Sequence, residues 1–66
     1  MNKFKIQRLG EDGFVVVEED HARAAMEKLL RVTGEDRKIV QDFANPDTKV
    51  RYMTVGNGYT FTVTRY

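Results

Sequence analysis

The sequence predicts an α+β fold in which a single helix packs on one face of an antiparallel sheet, in the order β-β-α-β-β-β. Three observations carry that reading. Only the stretch from Asp20 to Gly34 repeats its apolar residues at helical spacing. The segments on either side alternate apolar and polar residues with the period of strands. Glycine-, asparagine- and proline-containing tetrapeptides and tripeptides separate those segments as turns.

The first strand is set by Phe4 and Ile6 alternating with Lys3, Lys5 and Gln7, so one face is buried and the other wet. Gly10-Glu11-Asp12-Gly13 turns the chain back. Phe14 to Val17 is a β-branched apolar run that pairs as the second strand of a hairpin, with Phe14 and Val16 expected inward and a valine left outside or covered from the second side. Glu18-Glu19-Asp20 ends the run. Asp20 is the expected N-cap, with Glu18 and Glu19 favoured by the positive end of the helix dipole. Ala22, Ala25, Met26, Leu29, Leu30 and Thr33 then share one helical face, while Arg23, Glu27, Lys28 and Arg31 share the other. Gly34 supplies the left-handed stop.

Beyond the helix, Ile39, Val40, Phe43 and Ala44 fit one side of a short helix as well as a strand. The turn Asn45-Pro46-Asp47-Thr48 decides for the strand, because proline presets the second position of a type I turn. Pairing across it sets Asp42 against Arg51 and Val40 against Met53. In the last strand Tyr59, Phe61 and Val63 alternate with Thr60, Thr62 and Thr64 after Gly56-Asn57-Gly58. A two-residue turn there pairs Val50 with Val63 and Tyr52 with Phe61. The expected buried layer is then Phe4, Ile6, Phe14, Val16, Ile39, Phe43, Val50, Tyr52, Phe61 and Val63 against the apolar face of the helix. Residues 1-66 are expected to form one small, complete domain. The strand order is not set by these patterns.

At 66 residues the chain sits near the lower size at which a domain folds without staples. Cysteine is absent, which excludes disulfides and thiolate metal sites and is compatible with a reducing compartment. No apolar run approaches a membrane span, and Met-Asn-Lys-Phe-Lys-Ile lacks the apolar core of a signal peptide, so the expected location is cytoplasmic. The net charge of +1, from 11 basic and 10 acidic residues, excludes both a polybasic nucleic-acid binder and an acidic mimic of nucleic acid. Electrostatic recognition has to rest on how charge is distributed.

Little in the chain suits catalysis. His21 is the single histidine, and serine is absent. A transition-metal site draws on several His or Cys ligands, and the acidic groups Glu11-Asp12, Glu18-Glu19-Asp20 and Glu35-Asp36 lack calcium-loop spacing. The glycines do not precede a helix as in a phosphate loop. No enzyme, metal or cofactor is expected.

Binding is the better reading. The expected faces place Lys3, Lys5 and Gln7 with Lys49, Arg51, Met53, Thr60, Thr62 and Thr64 on the side away from the helix. A basic, hydroxyl-rich sheet of that kind suits nucleic-acid phosphates, although threonine and lysine are also ordinary residues for a wet strand face. Tyr66 is the one aromatic expected there. A protein partner is the other occupant and the favoured one for so small and site-poor a domain, with nucleic acid the alternative; it would be met by Met53, Val40 and Val15 or Val17 within a rim of Lys49, Arg51 and Asp42. Homodimerisation through an exposed sheet edge is a further possibility. In size and element order alone, the chain resembles very small phage-encoded inhibitors, including some anti-CRISPR proteins. Over the first hairpin and helix it is similar to compact antitoxin-type domains. That resemblance implies a stoichiometric inhibitor or regulator.

Overall fold

The computed structural model describes residues 1–34, 38–56 and 58–66. Its elements are β1 (Asn2–Arg8), β2 (Phe14–Glu19), α1 (Ala22–Val32), β3 (Ile39–Ala44), β4 (Arg51–Val55) and β5 (Thr60–Arg65). This is the predicted element order. All pairings are antiparallel, in the spatial order β2-β1-β5-β4-β3. The chain leaves one edge of the sheet at β2 and re-enters at the opposite edge, so the connection holding α1 crosses the whole sheet. The first and last strands meet in the interior, where Lys5 pairs with Thr64 and Ile6 with Val63.

The core lies between α1 and one sheet face. It comprises Phe4, Ile6, Ala22, Ala25, Met26, Leu30, Met53, Val55 and Val63, with Val17, Leu29, Ile39 and Phe61 packed at its margin. No buried side-chain nitrogen or oxygen among the described residues lacks a hydrogen-bond partner. The interior is therefore apolar and gains its stability from area removed from water.

The helix begins one residue later than expected. His21, not Asp20, is the N-cap; its backbone is extended (φ −134°, ψ 154°) and its side chain makes no capping bond. The physical reason is the reach of the first hairpin. β2 stays paired to β1 as far as Asn2 opposite Glu19, and the Asn2 side-chain Nδ2 still donates to the Asp20 carbonyl at 3.2 Å. Asp20 thus belongs to the end of the sheet. At the other end Thr33 closes the helix, its amide and its hydroxyl each 3.0 Å from the Leu29 carbonyl, and Gly34 follows with φ +73°.

β2 and β4 present the face opposite to the one expected, and most of β3 turns over with β4. In β2 the ladder pairs Phe4 with Val17 and Ile6 with Val15, so the burial of Phe4 and Ile6 takes Val15 and Val17 to the helix side. Phe14 and Val16 are carried to the open side. In β4 the turn decides. The Val55 amide bonds the Tyr59 carbonyl at 2.9 Å, and the Gly58 amide bonds the Val55 carbonyl at 2.9 Å. Three residues, 56–58, therefore lie between the closing pair rather than two, with Gly58 left-handed at φ +86°. One extra residue shifts the register by one and turns β4 over. Met53 and Val55 become core, while Tyr52 and Val50 go to the open side. Asn57 lies outside the described residues.

β3 follows β4. Its loop is closed by the Asn45 amide on the Val50 carbonyl at 2.9 Å, two positions wider than the predicted Asn45–Thr48 closure. The Asp47 amide bonds the Asn45 side chain at 2.9 Å, and Lys49 adopts φ 61°. A two-residue shift preserves the faces, so Phe43 lies opposite Tyr52 on the open side. An irregularity between Ile39 and Gln41 then returns Ile39 to the core margin.

Candidate functional site

The sheet face away from α1 is covered by no other element of the described residues. Reading along its ladders, Phe14, Gln7, Thr62, Tyr52 and Phe43 follow one another from edge to edge, because each is the direct partner of the next. Val16, Lys5 and Thr64 form the neighbouring row, and Glu18 and Lys3 the next. Tyr66 joins Lys3 through its amide on the Lys3 carbonyl at 2.8 Å.

Aromatic and aliphatic groups are prominent on this surface. Phe14 is 47% exposed, Phe43 55% and Tyr66 69%. The Lys5 ammonium lies 4.5 Å from the centre of the Phe14 ring, and the Phe14 and Tyr66 rings are 6.4 Å apart. The cation and both rings therefore form one cluster near the β2 edge. Tyr52 and Phe43 are direct ladder partners near the β3 edge. Between that cluster and these partners runs the threonine strip of β5. Thr60 shares a 3.1 Å hydroxyl contact with Thr54, and Thr62 donates to the Gln7 carbonyl at 3.2 Å. Those two hydroxyls are partly spent on holding strands together.

Lys3, Lys5, Thr60, Thr62 and Thr64 are thus brought together as predicted. The other four candidates are not. Met53 is wholly buried, because the three-residue turn faces it inward. Arg51 is on the helix side for the same reason, where its Nε and Nη2 donate to the Asp42 carboxylate at 3.2 and 2.9 Å. The predicted Asp42–Arg51 pair is therefore present, with Arg23 a further 3.8 Å contact, but it lies on the opposite face from the one expected. Lys49 stands in the β3–β4 loop, where it lines a shallow cleft with His21, Arg51 and Arg65 beside the helix start. Val40 is 66% exposed at the irregular position of edge strand β3, with β4 between it and the threonine strip of β5.

Sequence reasoning missed Phe14, Tyr52 and Phe43 as surface groups. For Tyr52, and for Phe43 opposite it, the signal was the second glycine of Gly56-Asn57-Gly58, which suits the left-handed third position of a three-residue hairpin loop; the facing of Phe14 is set by the β1–β2 ladder. No group of three or more His, Cys, Asp or Glu is placed to hold a metal ion among the described residues, and the acidic pair Glu35-Asp36 lies outside them. No helix among the described residues is long and apolar enough to cross a membrane. No known protein family, curated protein or solved structure matches this chain.

Proposed function

We propose that this chain is a small, non-enzymatic regulator or inhibitor, acting in the cytoplasm by stoichiometric binding of a protein partner to the open sheet face. One observation carries the reading: five paired strands leave one face bare, and Phe14, Phe43 and Tyr66 stand on it 47, 55 and 69% exposed. Aromatic residues are enriched at protein interfaces and among the anchors that carry their binding energy. Lys3 and Lys5 fit carboxylates on the partner. The shallow sheet suits binding better than acid-base chemistry, which calls for a sheltered cleft.

A nucleic-acid role is the second reading, supported by the cluster of Lys5, Phe14 and Tyr66, on which an unpaired base can stack. Against it, Lys49 and Arg51 do not share the face, so the cation set there is small.

The test is capture from host lysate with and without nuclease, by the natural chain and by Phe43→Asp. The proposal expects a protein retained near one-to-one in both arms and lost with Phe43→Asp. Retention that vanishes with nuclease and falls steeply with salt supports the second reading. Equal retention by Phe43→Asp overturns the assignment to this face.

A further inference from the structure

The two edges of the sheet are built differently. β3 is interrupted between Ile39 and Gln41, a feature that discourages further pairing. β2 is regular through its whole length, from Gln7 opposite Phe14 to Asn2 opposite Glu19. Phe14–Glu19 carries no proline, no lysine and no bulge. Over Phe14–Val17 it is an apolar edge without those protections, with charge only at its Glu18–Glu19 end.

The direction of its free main-chain groups follows from the hydrogen bonds one strand further in. The Leu9 amide bonds the Thr60 carbonyl and the Tyr66 amide the Lys3 carbonyl, each at 2.8 Å. Odd-numbered residues of β1 therefore point their peptide groups at β5, and even-numbered ones at β2. Phe4 and Ile6 pair with Val17 and Val15, so those β2 residues spend their peptide groups on β1. Phe14, Val16 and Glu18 are left pointing theirs outward. The Lys28 ammonium, 3.4 Å from the Glu18 carbonyl, independently marks that carbonyl as outward-facing.

We propose that a second copy of this chain pairs antiparallel along β2, with Val16 on the two-fold axis, joining two sheets into one. This register is self-complementary. Val16 meets Val16 of the partner copy, and Phe14 meets Glu18, all residues whose donors and acceptors face outward. Val15 meets Val17 on the helix side, and the faces stay continuous because paired residues share parity. Apolar groups exposed on both sides of the edge are covered together: Val15 (46%) and Val32 (77%) beside the helix, Phe14 (47%) and Val16 (42%) on the open face. Charge agrees as well. The incoming Glu18 arrives at Phe14, whose ring already carries the Lys5 ammonium at 4.5 Å. Lys28 gives up one long contact to the Glu18 carbonyl as that carbonyl gains a ladder amide. The proposal does not rest on the function assigned to the open face.

Sedimentation equilibrium of the full chain over a wide concentration range tests it. The expected result is a reversible two-chain species whose dissociation constant rises at least tenfold in Val16→Lys, which sets two ammonium groups together on the axis. Circular dichroism of that variant should match the natural chain, because Val16 is a surface residue. The chain has no cysteine, so Val16→Cys provides an independent reading. A hydrogen-bonded pair places Cα atoms about 5.5 Å apart, within disulfide reach. Mild oxidation should cross-link Val16→Cys much faster than Val40→Cys on the other edge. A chain that stays monomeric throughout, a dimer unaffected by Val16→Lys, or equal cross-linking at both edges would each overturn the proposal.

Discussion

Met53 stands directly opposite Phe61 in the β4–β5 ladder, and both side chains join the core. Their neighbours Tyr52 and Thr62, one step along, face the open side. The inner and outer surfaces of β4 are therefore assigned to residues that differ by a single position. Met53→Ala is expected to cost about 2–5 kcal/mol, the range for truncating a buried side chain, whereas Tyr52→Ala should cost about 1 kcal/mol or less. Urea unfolding of the two variants measures both, and a larger loss at Tyr52 would reverse the facing.

The turn that sets this register depends on Gly58. Its φ of +86° lies in the left-handed region, and a Cβ there would meet nothing within 4 Å, so substitution tests backbone strain alone. Gly58→Ala should destabilise the chain by about 1–2 kcal/mol. Gly13→Ala, at a position without positive φ and equally open, should stay within about 0.5 kcal/mol of the natural chain.

The start of α1 has room for improvement. His21 holds the extended N-cap conformation without a side-chain capping bond, so His21→Ser supplies a missing acceptor and should raise stability by about 1 kcal/mol. Asp20→Ala should bring no loss of that size, since Asp20 precedes the cap. Thermal melts of the two variants separate these positions; a large loss at Asp20 alone would place the cap there instead.

Asp42 is the hinge of the charged group on the helix side. Its carboxylate takes two donors from Arg51 at 3.2 and 2.9 Å, while Arg23 stands off at 3.8 Å. Arg51 remains 44% exposed in its side chain, so solvent screens the pair. A double-mutant cycle should give about 0.5–1 kcal/mol for Asp42–Arg51 and close to zero for Asp42–Arg23, with the first shrinking in high salt. Equal couplings would argue against the bidentate geometry.

Much of the fold was legible from local pattern. Phe4 and Ile6 are buried as their alternation with lysine requires, and Ala22, Ala25, Met26 and Leu30 form the buried helix face. Thr60, Thr62 and Thr64 share a side with Lys3 and Lys5. Phe14, Val16, Tyr52 and Phe43 were misplaced because strands carrying apolar residues on both sides offer no local preference for either. Hydrophobicity cannot choose between Tyr52 and Met53; the number of residues in the turn chooses.

The sequence by itself determined the kind, number and order of elements, and which face of the helix and of the first and last strands is buried. These depend on spacing within a segment, and an amphipathic period of 3.6 or 2 is complete in a dozen residues or fewer. Only the tertiary structure decided the strand order β2-β1-β5-β4-β3, the outward turn of Phe14 and the inward turn of Met53. Those rest on ladders between distant strands and on one residue of turn length. A one-residue change of register exchanges every side chain between the faces while leaving the local pattern unchanged.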